Sequence, residues 1–317
     1  GSCRPQGRSD RNHRSDHRFV NIVGNPNVGK STLSNLLVGE RLSIITSKAQ
    51  TTRHRIFGIV NGNAGDYDGA VTEDYQIIFS DTPGVLKPNY RLQETMLDYS
   101  TSALSDADIL IYVTDTVETP DKYDDFIKKV QNINVPKIVI INKIDLTDQK
   151  GLEEKVAYWH EQLPDAEIIP TSALHNFNVK GIITHLIDLL PEAEPYFDRD
   201  ALTDKSERFF VSEIIREKIL LYYKKEIPYS VEVSIDEFHE ENDITNISAT
   251  IHVTRDSQKG IIIGHQAVAI KKLGTMARRD IEMFLQRKVF LKLFVKVSKD
   301  WRDKDAMLKQ FGYDVRK

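Results

Sequence analysis

The sequence predicts a doubly wound α/β domain followed by a smaller α+β domain, and three observations support this. From residue 18 to about 190, short β-branched runs alternate with helical stretches. Several of these runs, such as ILIYV and IVII, are apolar throughout, which is typical of central strands that helices cover on both faces. Beyond residue 204 the order changes to a helix, two alternating strands, a helical stretch broken by glycines and a last strand.

Each element is predicted from its own pattern. The strands of the first domain are expected at 19–23, 54–60, 75–80, 109–114, 137–141 and 166–169. Between the second and third, the segment NGNAGDYDGAVTED is rich in Gly, Asp and Asn and predicts a hairpin connection. The second domain is expected to have a helix at about 206–224, strands at 229–238, 244–253 and 289–297, and helical structure over 257–286. In that last helical stretch, residues 270, 273, 277, 281 and 284 form the predicted core face.

Composition predicts the domain boundaries. Residues 1–17 contain almost nothing apolar, and we interpret them as a flexible tail or residues added for expression, with a basic nucleic-acid arm as the alternative. The first domain then covers 18–190, a proline-containing acidic linker covers 191–204, and the second domain covers 205–317. No apolar run approaches the roughly 18–20 residues that cross a bilayer, and the amino terminus lacks a secretion signal, so we expect a cytoplasmic protein.

Charge divides the chain at the same place. The 317 residues include 43 Lys and Arg against 47 Asp and Glu, a net charge of -4, which argues against a protein whose whole surface binds nucleic acid. Residues 205–317 carry 22 basic and 17 acidic side chains, whereas residues 1–204 carry 21 and 30. The two domains are therefore expected to have different partners. The single cysteine, Cys3, excludes a disulfide framework and a thiolate-rich metal cluster.

The strongest motif, GNPNVGKS, follows the strand FVNIV and precedes the helical pattern STLSNLLVG. In such a GxxxxGK[ST] loop, glycines let backbone N–H groups turn toward the α- and β-phosphates of a nucleotide, and the helix amino terminus adds its positive dipole end. Lys30 would reach the β- and γ-phosphates, and the Ser31 hydroxyl would bind Mg²⁺. The predicted nucleotide-binding residues of this loop are Gly24, Asn25, Pro26, Asn27, Val28, Gly29, Lys30, Ser31 and Thr32.

Two further segments are expected to sense the γ-phosphate. In the motif DTPG, the Asp81 carboxylate can hold Mg²⁺ through its water shell, and the Gly84 amide can approach the γ-phosphate because no side chain intervenes. In the upstream stretch QTTRH, a threonine hydroxyl could bind Mg²⁺ only when the γ-phosphate is present. We choose Thr52, with Thr51 a close second, and interpret the following Arg and His as surface residues, with water positioning or charge stabilisation as the alternative. Catalysis is assigned to Lys30, Thr52 and Gly84.

The motif NKID follows the apolar strand KIVII at the carboxyl end of the sheet, where open α/β folds bind ligands. The Asp145 carboxylate can accept hydrogen bonds from N1–H and the exocyclic N2–H₂ of guanine, a pair of donors that adenine lacks. Asn142 would brace the neighbouring loops and the base edge, and the stem of Lys143 would cover the ring. Ser172 and Ala173 follow the strand EIIP, and the Ala173 amide would reach guanine O6. The sequence therefore predicts binding of GTP in preference to ATP.

These motifs, in this order and with the stretches KAQTTRH, DTPGV and NKID, resemble the Era-type P-loop GTPases of the translation-factor-related class, over essentially residues 18–313. The resemblance implies a P-loop GTPase fold, hydrolysis of GTP with Mg²⁺ held by Ser31, Thr52 and Asp81, and a potassium ion bound beside the phosphates by Asn27. Ras-like GTPases place a water-orienting glutamine after this DTPG position, whereas this chain has Val85. We therefore expect slow intrinsic hydrolysis that rises when potassium or a partner completes the site.

The second domain resembles a type II KH domain, and the segment IIIGHQAVAIKKLG stands where that fold carries its GxxG loop. The second glycine is replaced by alanine, and HQ replaces a more basic pair. Residues 255–299 carry 11 Lys and Arg against 3 Asp and Glu, so the basic charge lies in the half where a KH domain binds unstacked nucleotides. A solvated basic helix is the alternative. The predicted RNA-binding residues are Lys259, Gly264, His265, Gln266, Ala267, Lys271, Lys272, Arg278 and Arg279.

Together, the residues and the resemblance imply a GTP-hydrolysing switch that binds single-stranded ribosomal RNA. The resemblance specifies the 3′ region of small-subunit ribosomal RNA and assembly of that subunit. It also implies a monomer in the cytoplasm, partly at the inner face of the membrane. One alternative is an RNA-tethering factor in which GTP only locks a conformation and turnover is incidental. The other is a signalling GTPase whose basic domain docks onto acidic proteins or anionic lipid.

Overall fold

The computed structural model describes residues 19–63, 65–66, 74–118, 124–190 and 194–315. The predicted tail, 1–17, lies outside the described residues. The strands are β1 (Phe19–Val23), β2 (Ile56–Gly62), β3 (Tyr75–Asp81), β4 (Ile109–Asp115), β5 (Lys137–Asn142), β6 (Ala166–Pro170), β7 (Glu232–Glu241), β8 (Ile244–Val253) and β9 (Lys288–Val297). The helices are α1 (Lys30–Val38), α2 (Arg91–Ser105), α3 (Asp124–Gln131), α4 (Gln149–Gln162), α5 (Lys180–Leu189), α6 (Glu207–Tyr222), α7 (Ile227–Ser230), α8 (Asp256–Ile263), α9 (Val268–Leu285) and α10 (Asp305–Gln310).

The first sheet has the strand order β2-β3-β1-β4-β5-β6. All its neighbours pair in parallel except β2 and β3, which are antiparallel, as a hairpin between them requires; most of the predicted connection itself lies outside the described residues. Every residue of β4 and β5 is buried, which explains why their sequences are apolar without alternation. The loops after β1, β3, β5 and β6 leave the sheet at one edge because these strands run in the same direction. That edge is where the nucleotide motifs meet.

The second sheet, β7-β8-β9, pairs β7 antiparallel and β9 parallel with the central β8. Apolar residues of α6, α8 and α9 pack on one face of this sheet, around Ile219, Ile251 and Ile281. The order helix, strand, strand, helix, helix, strand is the one that the sequence predicts. The α+β class of this domain is therefore confirmed.

Two local predictions in the second domain are wrong. The segment predicted to begin a strand at 229 is instead the end of α7, whose first turn contains Pro228. Proline suits that turn because its missing N–H has no partner there in any helix. On α9, the predicted core position Phe284 is 40% exposed, and Leu285 is buried in its place. Phe284 packs instead against Phe210 of α6, with ring centroids 5.4 Å apart.

The linker follows the edge strand β2. The Ile59 amide donates to the Leu202 carbonyl oxygen (2.9 Å), and the Phe57 amide donates to Asp204 Oδ1 (3.0 Å). An edge strand has backbone groups that its sheet leaves unpaired, and the linker satisfies part of them. The described part of the linker is therefore bound to the first domain.

The carboxyl-terminal segment also returns to the first domain. Trp301, Leu308 and Tyr313 share an apolar cluster with Leu92 and Met96 of α2. The Trp301 indole is fully buried, and its Nε1 donates to the Ser230 carbonyl oxygen (2.9 Å). This cluster joins the two domains. In the part of the chain that the structure describes, none of the helices has the length and apolar character needed to cross a membrane.

Candidate functional site

The loop between β1 and α1 has a backbone that two glycines make possible. Gly24 and Gly29 have φ angles of 149° and 100°. A Cβ atom would lie 2.2 Å from the Val113 carbonyl oxygen at Gly24 and 2.1 Å from Asn142 Nδ2 at Gly29. A side chain at either position would displace backbone or the NKID motif. The loop can therefore turn its N–H groups inward and deliver the chain to α1, which begins at Lys30.

Two other motifs, NKID and DTPG, hold this loop in place. Asn142 Nδ2 donates to the Val28 carbonyl oxygen (2.9 Å), and Lys143 Nζ donates to the Asn27 carbonyl oxygen (2.5 Å). A Cβ atom at Gly84 would lie 2.7 Å from Cα of Pro26, so the DTPG turn also packs directly on the loop. The phosphate loop, the DTPG turn and the NKID motif thus form one connected edge.

Lys30 is buried at this edge, and its Nζ donates to the Asn25 carbonyl oxygen (2.7 Å). Burial lowers the pKa of Lys30 to about 8, against the opposing attraction of Asp81 and Glu118. A phosphate beside the ammonium would favour its charged form. Sequence reasoning missed Glu118, which accepts a hydrogen bond from Asn25 Nδ2 (3.1 Å) and so fixes the start of the loop.

Three oxygen ligands suited to Mg²⁺ converge beside the loop. Ser31 Oγ lies 2.8 Å from Asp81 Oδ2 and 2.9 Å from Thr52 Oγ1. Asp81 is 1% exposed, and its Oδ1 makes no well-formed hydrogen bond within the described residues. Burial raises the pKa of Asp81, while the nearby Ser43 hydroxyl, Lys30 and Ser31 lower it. One buried carboxylate and two hydroxyl groups are the hard oxygen donors that Mg²⁺ prefers. These residues therefore fit the metal that the sequence implies.

The structure separates the two threonines that the sequence left open. Thr52 Oγ1 faces Ser31. Thr51 Oγ1 donates to the Lys48 carbonyl oxygen (2.6 Å) and lies 2.6 Å from Thr46 Oγ1, so it is occupied within its own loop. Thr52 is thus the threonine placed beside the oxygens of Ser31 and Asp81 that suit Mg²⁺.

The predicted base-recognition residues meet at the ends of β5 and β6. The Ser172 hydroxyl donates to Asp145 Oδ1 (2.6 Å) and holds the pKa of Asp145 below its usual value. The Ala173 amide, expected at guanine O6, donates instead to Asn142 Oδ1 (2.9 Å). Because one N–H makes one strong hydrogen bond, contact with guanine O6 requires this bond to be shared or replaced.

These residues surround a cavity of about 540 Å³. The predicted residues that line it are Pro26, Asn27, Gly29, Lys30, Ser31, Thr32, Thr52, Gly84, Asn142, Lys143, Asp145 and Ala173. Five other predicted residues are absent from the lining of this cavity; they are Gly24, Asn25, Val28, Asp81 and Ser172. Sequence reasoning missed the exposed Leu146 and Leu174, which line the cavity next to Asp145 and can cover the faces of a purine. Each directly follows a predicted base-recognition residue, Asp145 or Ala173, and this position in the sequence could have identified them.

The residues after Thr52 face the second domain. Arg53 is 1% exposed and donates from Nη1 to the Val231 carbonyl oxygen (2.6 Å) and to Glu232 Oε2 (3.2 Å). His54 stacks on Tyr313 with ring centroids 4.2 Å apart, and burial lowers its pKa to about 4. Both side chains lie in the interface between the domains and do not line the cavity, so the role of positioning water there does not fit them.

The predicted RNA-binding loop connects α8 to α9. Ala267 adopts a left-handed conformation (φ 59°), as does Gln266 (φ 49°), so the backbone keeps the shape that the missing glycine would favour. A left-handed non-glycine residue costs roughly 1–2 kcal/mol. His265 and Gln266 are exposed at the tip, and Lys259 of α8 is half-buried. The basic side chains of α9 are exposed and form no salt bridge with the residues that the structure describes; they are Lys271, Lys272, Arg278 and Arg279.

Comparison with known proteins agrees with both domains. Residues 19–143 match a family described as 50S ribosome-binding GTPases, and residues 226–302 match the KH domain. GTPase Era of Geobacter sp. (strain M21) is 45% identical over 298 residues, which cover 93% of this chain and 97% of the relative. GTPase Era of Staphylococcus haemolyticus is 41% identical over 297 residues, covering 93% and 96%.

Two solved structures are similar over both domains. One is Era in complex with MgGDPNP and nucleotides 1506–1542 of 16S ribosomal RNA, with 36% identity and a TM-score of 0.86 over 93% of this chain and 98% of that one. The other is a variant of Aquifex aeolicus Era bound to GDP and AlF4-, with 37% identity and a TM-score of 0.84 over the same shares. The arrangement of a GTPase domain followed by a KH domain is therefore common to this chain and these structures.

Proposed function

We propose that this chain, which belongs to the Era family of GTPases, uses GTP to control how its second domain holds ribosomal RNA. As a member of that family it hydrolyses GTP to GDP and phosphate. The solved relative with 16S ribosomal RNA supports the 3′ region of small-subunit RNA as the ligand and assembly of that subunit as the process. The first domain's family description names the 50S ribosome, but it concerns only residues 19–143. The solved relative is similar over both domains and is in complex with 16S ribosomal RNA, so it is the stronger evidence for which RNA this chain binds.

One observation carries the coupling between nucleotide and RNA. Thr52 lies at the oxygens that fit Mg²⁺, and the residues on either side of it are bonded to the second domain. Arg216 Nη2 of α6 donates to the Thr51 carbonyl oxygen, and Arg53 donates to the Val231 carbonyl oxygen. A movement of Thr52 toward or away from the metal therefore acts directly on α6 and on the segment before β7.

The chain's own groups supply positioning and charge. Lys30 and the loop amides would hold the phosphates, Gly84 would allow its amide to approach the γ-phosphate, and Asp145 would select guanine. Mg²⁺ bound by Ser31, Thr52 and Asp81 would neutralise phosphate charge. Val85 is 2% exposed, and its amide donates to the Gly24 carbonyl oxygen (3.0 Å), so it offers no group that orients water. This supports a slow intrinsic rate.

The test is RNA binding in the two nucleotide states. The full chain, loaded with GDPNP or with GDP, is titrated into labelled RNA with the sequence of nucleotides 1506–1542. We expect affinities that differ by tenfold or more, and faster phosphate release from GTP when the RNA is present. Equal phosphate release with and without RNA would support the passive tethering alternative. Absence of RNA binding, together with binding to anionic vesicles, would support the docking alternative and contradict the proposal.

We also propose that potassium binds beside Asn27 and accelerates hydrolysis. Asn27 is exposed in the phosphate loop and has a φ of 66°, a conformation that glycine also adopts. Asn27→Gly should therefore keep the loop shape and lose any increase in rate when sodium is replaced by potassium. Asn176→Gly, at φ 51° outside the cavity lining, is the control and should keep that increase. Equal rates of the wild-type chain in both salts would exclude the potassium site.

The family resemblance further supports a monomer in the cytoplasm, partly at the inner membrane face, and these assignments are part of the proposal. Sedimentation velocity of the full chain tests the first, and a single species at the monomer mass is expected. Cell fractionation tests the second, with the bulk of the chain expected in the fraction that contains ribosomal subunits. A stable dimer, or recovery only with membranes, would contradict them.

A further inference from the structure

The outer face of the second sheet carries a row of alternating lysines and phenylalanines on β9. The side chains of Val289, Leu291, Leu293, Val295 and Val297 point toward the helices and join the core. The alternate side chains point away from the helices and are all exposed; they are Lys288, Phe290, Lys292, Phe294 and Lys296, here named the Lys-Phe row. None of the predicted RNA-binding residues belongs to this row.

Two features of the row are unusual for a solvent-facing strand. Phe290 and Phe294 are 49% and 54% exposed, although the open face of an edge strand needs only polar residues. Large exposed rings flanked by polar groups are typical of a binding surface. None of the three lysines forms a salt bridge with the residues that the structure describes, and Lys292 Nζ lies 5.4 Å from the Phe290 ring centroid. The positive charge of the row is therefore available to an external anion.

The chemistry of the row selects single-stranded nucleic acid. Phe290 and Phe294 are four residues apart on one strand, a separation of about 13 Å, so each ring can stack on a different base. The lysines between and beside them can meet phosphates. On the neighbouring strand, Asn246 lies in register with Phe290 and can bond base edges or 2′-hydroxyl groups. Thr250, in register with Phe294, donates its hydroxyl to Asp236 Oδ2 (2.6 Å) and can only accept a further hydrogen bond. A duplex would keep its base faces stacked and hidden from the rings.

The position of the row connects it to the predicted RNA-binding loop. Helices α8 and α9, which flank that loop, pack against the inner face of β9. β9 is the edge strand of its sheet, so an RNA strand leaving the loop crosses only one strand to reach the outer face. A KH loop clamps about four nucleotides. The RNA bound by the solved relative, nucleotides 1506–1542, is far longer than the stretch that such a loop holds.

We propose that the Lys-Phe row is a second RNA-binding surface, which takes single-stranded RNA that continues beyond the nucleotides held at the loop between α8 and α9. The proposal rests on the proposed function, since it assumes that the second domain binds RNA. The two phenylalanines stack on bases, and the three lysines bind the phosphates around them.

The test compares a short and a long RNA strand on the full chain. The short probe has four nucleotides and fills only the loop, and the long probe is a single strand of about 12 nucleotides that contains it. Replacing both rings, Phe290→Thr with Phe294→Thr, keeps strand propensity and should weaken binding of the long probe about tenfold or more for each ring. Binding of the short probe should stay unchanged. Replacing the three lysines by glutamine should lower the salt slope of the long probe by about 2.

Matched controls replace similar side chains of the first domain. Phe177→Thr and Lys150→Gln alter a 57% exposed ring and an exposed lysine outside the row, and should bind both probes like the wild-type chain. If the wild-type chain binds RNA and the ring variant binds the long probe equally well, the row is not an RNA site and the proposed function stands. Equal weakening of both probes would also overturn the inference, because the row would then only support the domain. If the wild-type chain binds neither probe, the proposed function itself is overturned.

Discussion

At the scale of single residues, we expect Asp145 to set the preference for the base. Its Oδ1 accepts from Ser172, and Oδ2 is 3.9 Å from His175 Nε2, so the carboxylate is oriented at the cavity wall and kept ionised. Asp145→Asn should weaken GTP binding by about 100-fold, because a charge-assisted pair of hydrogen bonds with guanine contributes about 2–3 kcal/mol. The same change should improve binding of xanthosine triphosphate, whose C2 carbonyl accepts from an amide.

Calorimetric titration with both nucleotides measures this change. Asp148→Asn is the control, since Asp148 caps α4 by accepting from the Gly151 amide (2.8 Å) and asparagine caps equally well. Unchanged selectivity of the Asp145 variant would mean that another side chain reads the base.

A second prediction about single residues compares the effects of replacing Thr52 and Thr51 on GTP hydrolysis. Thr52→Ala removes an oxygen next to Ser31 Oγ, and we expect the rate of GTP hydrolysis to fall by about 10- to 100-fold through weaker Mg²⁺ binding. Thr51→Ala removes only hydrogen bonds within its own loop and should keep most of the activity. Hydrolysis rates measured across a Mg²⁺ titration check this, and a larger loss in the Thr51 variant would reverse the assignment.

At the scale of elements, the segment just before β2 also contacts the second domain and the carboxyl-terminal segment. The start of β2 follows His54, whose ring is stacked on Tyr313 of the carboxyl-terminal segment and lies edge-on to Phe209 of α6, with centroids 5.3 Å apart. Glu213 and Glu232 favour protonation of His54, and Lys205 and Arg216 oppose it, but burial is the largest effect. The contact is therefore suited to a neutral imidazole.

This contact predicts a pH dependence of stability. The pKa of His54 is about 4 in the folded chain against 6.5 when unperturbed, so the unfolded chain binds the extra proton between those values. The stabilising effect of the neutral ring is complete above pH 6.5 and is lost as the pH falls toward 4, by about 2 kcal/mol at pH 5. His54→Phe keeps the stacking and should remove this part of the pH dependence.

Denaturant unfolding of the wild-type chain and the variant at pH 7 and pH 5 gives the comparison. His160→Gln, at an exposed position of α4, should retain the wild-type difference between the two pH values. An identical pH dependence in all three chains would show that folding does not lower the pKa of His54.

At the scale of the whole molecule, the two domains are joined through the segment that holds Thr52. Arg53→Met leaves the Glu232 carboxylate buried without its cation and should cost about 3–5 kcal/mol of stability. It should also reduce the difference in RNA affinity between the GDPNP and GDP states, because the hydrogen bonds from Arg53 to Val231, Glu232 and Pro228 of the second domain are lost.

Arg55→Met provides the matched control. Arg55 forms its salt bridge with Asp106 inside the first domain, so this variant should keep the wild-type ratio of RNA affinities. Arg53→Lys, which retains the cation with fewer hydrogen bonds, replaces the Met variant if that chain does not fold. A folded Arg53 variant with the wild-type ratio would contradict coupling through this segment.

Much of this molecule follows from contiguous stretches of sequence. GNPNVGKS, DTPG and NKID each follow a strand whose apolar run identifies it, and parallel strands bring their carboxyl ends to one edge, so the nucleotide site could be inferred without coordinates. The second domain was recognisable because its charge and periodicity change after the linker. The failures were local, as at Phe284, where the helical stripe alone does not show which of two neighbouring apolar residues faces the core.

The sequence by itself determined the chemistry of the nucleotide loops and the order of the two domains, because those properties reside in neighbouring residues. The tertiary structure decided which threonine faces Ser31, that the linker pairs with β2, and that Arg53 bonds to Val231, 178 positions further along the chain. Contacts of that separation depend on how two folded surfaces fit together, and no local pattern of residues encodes that fit.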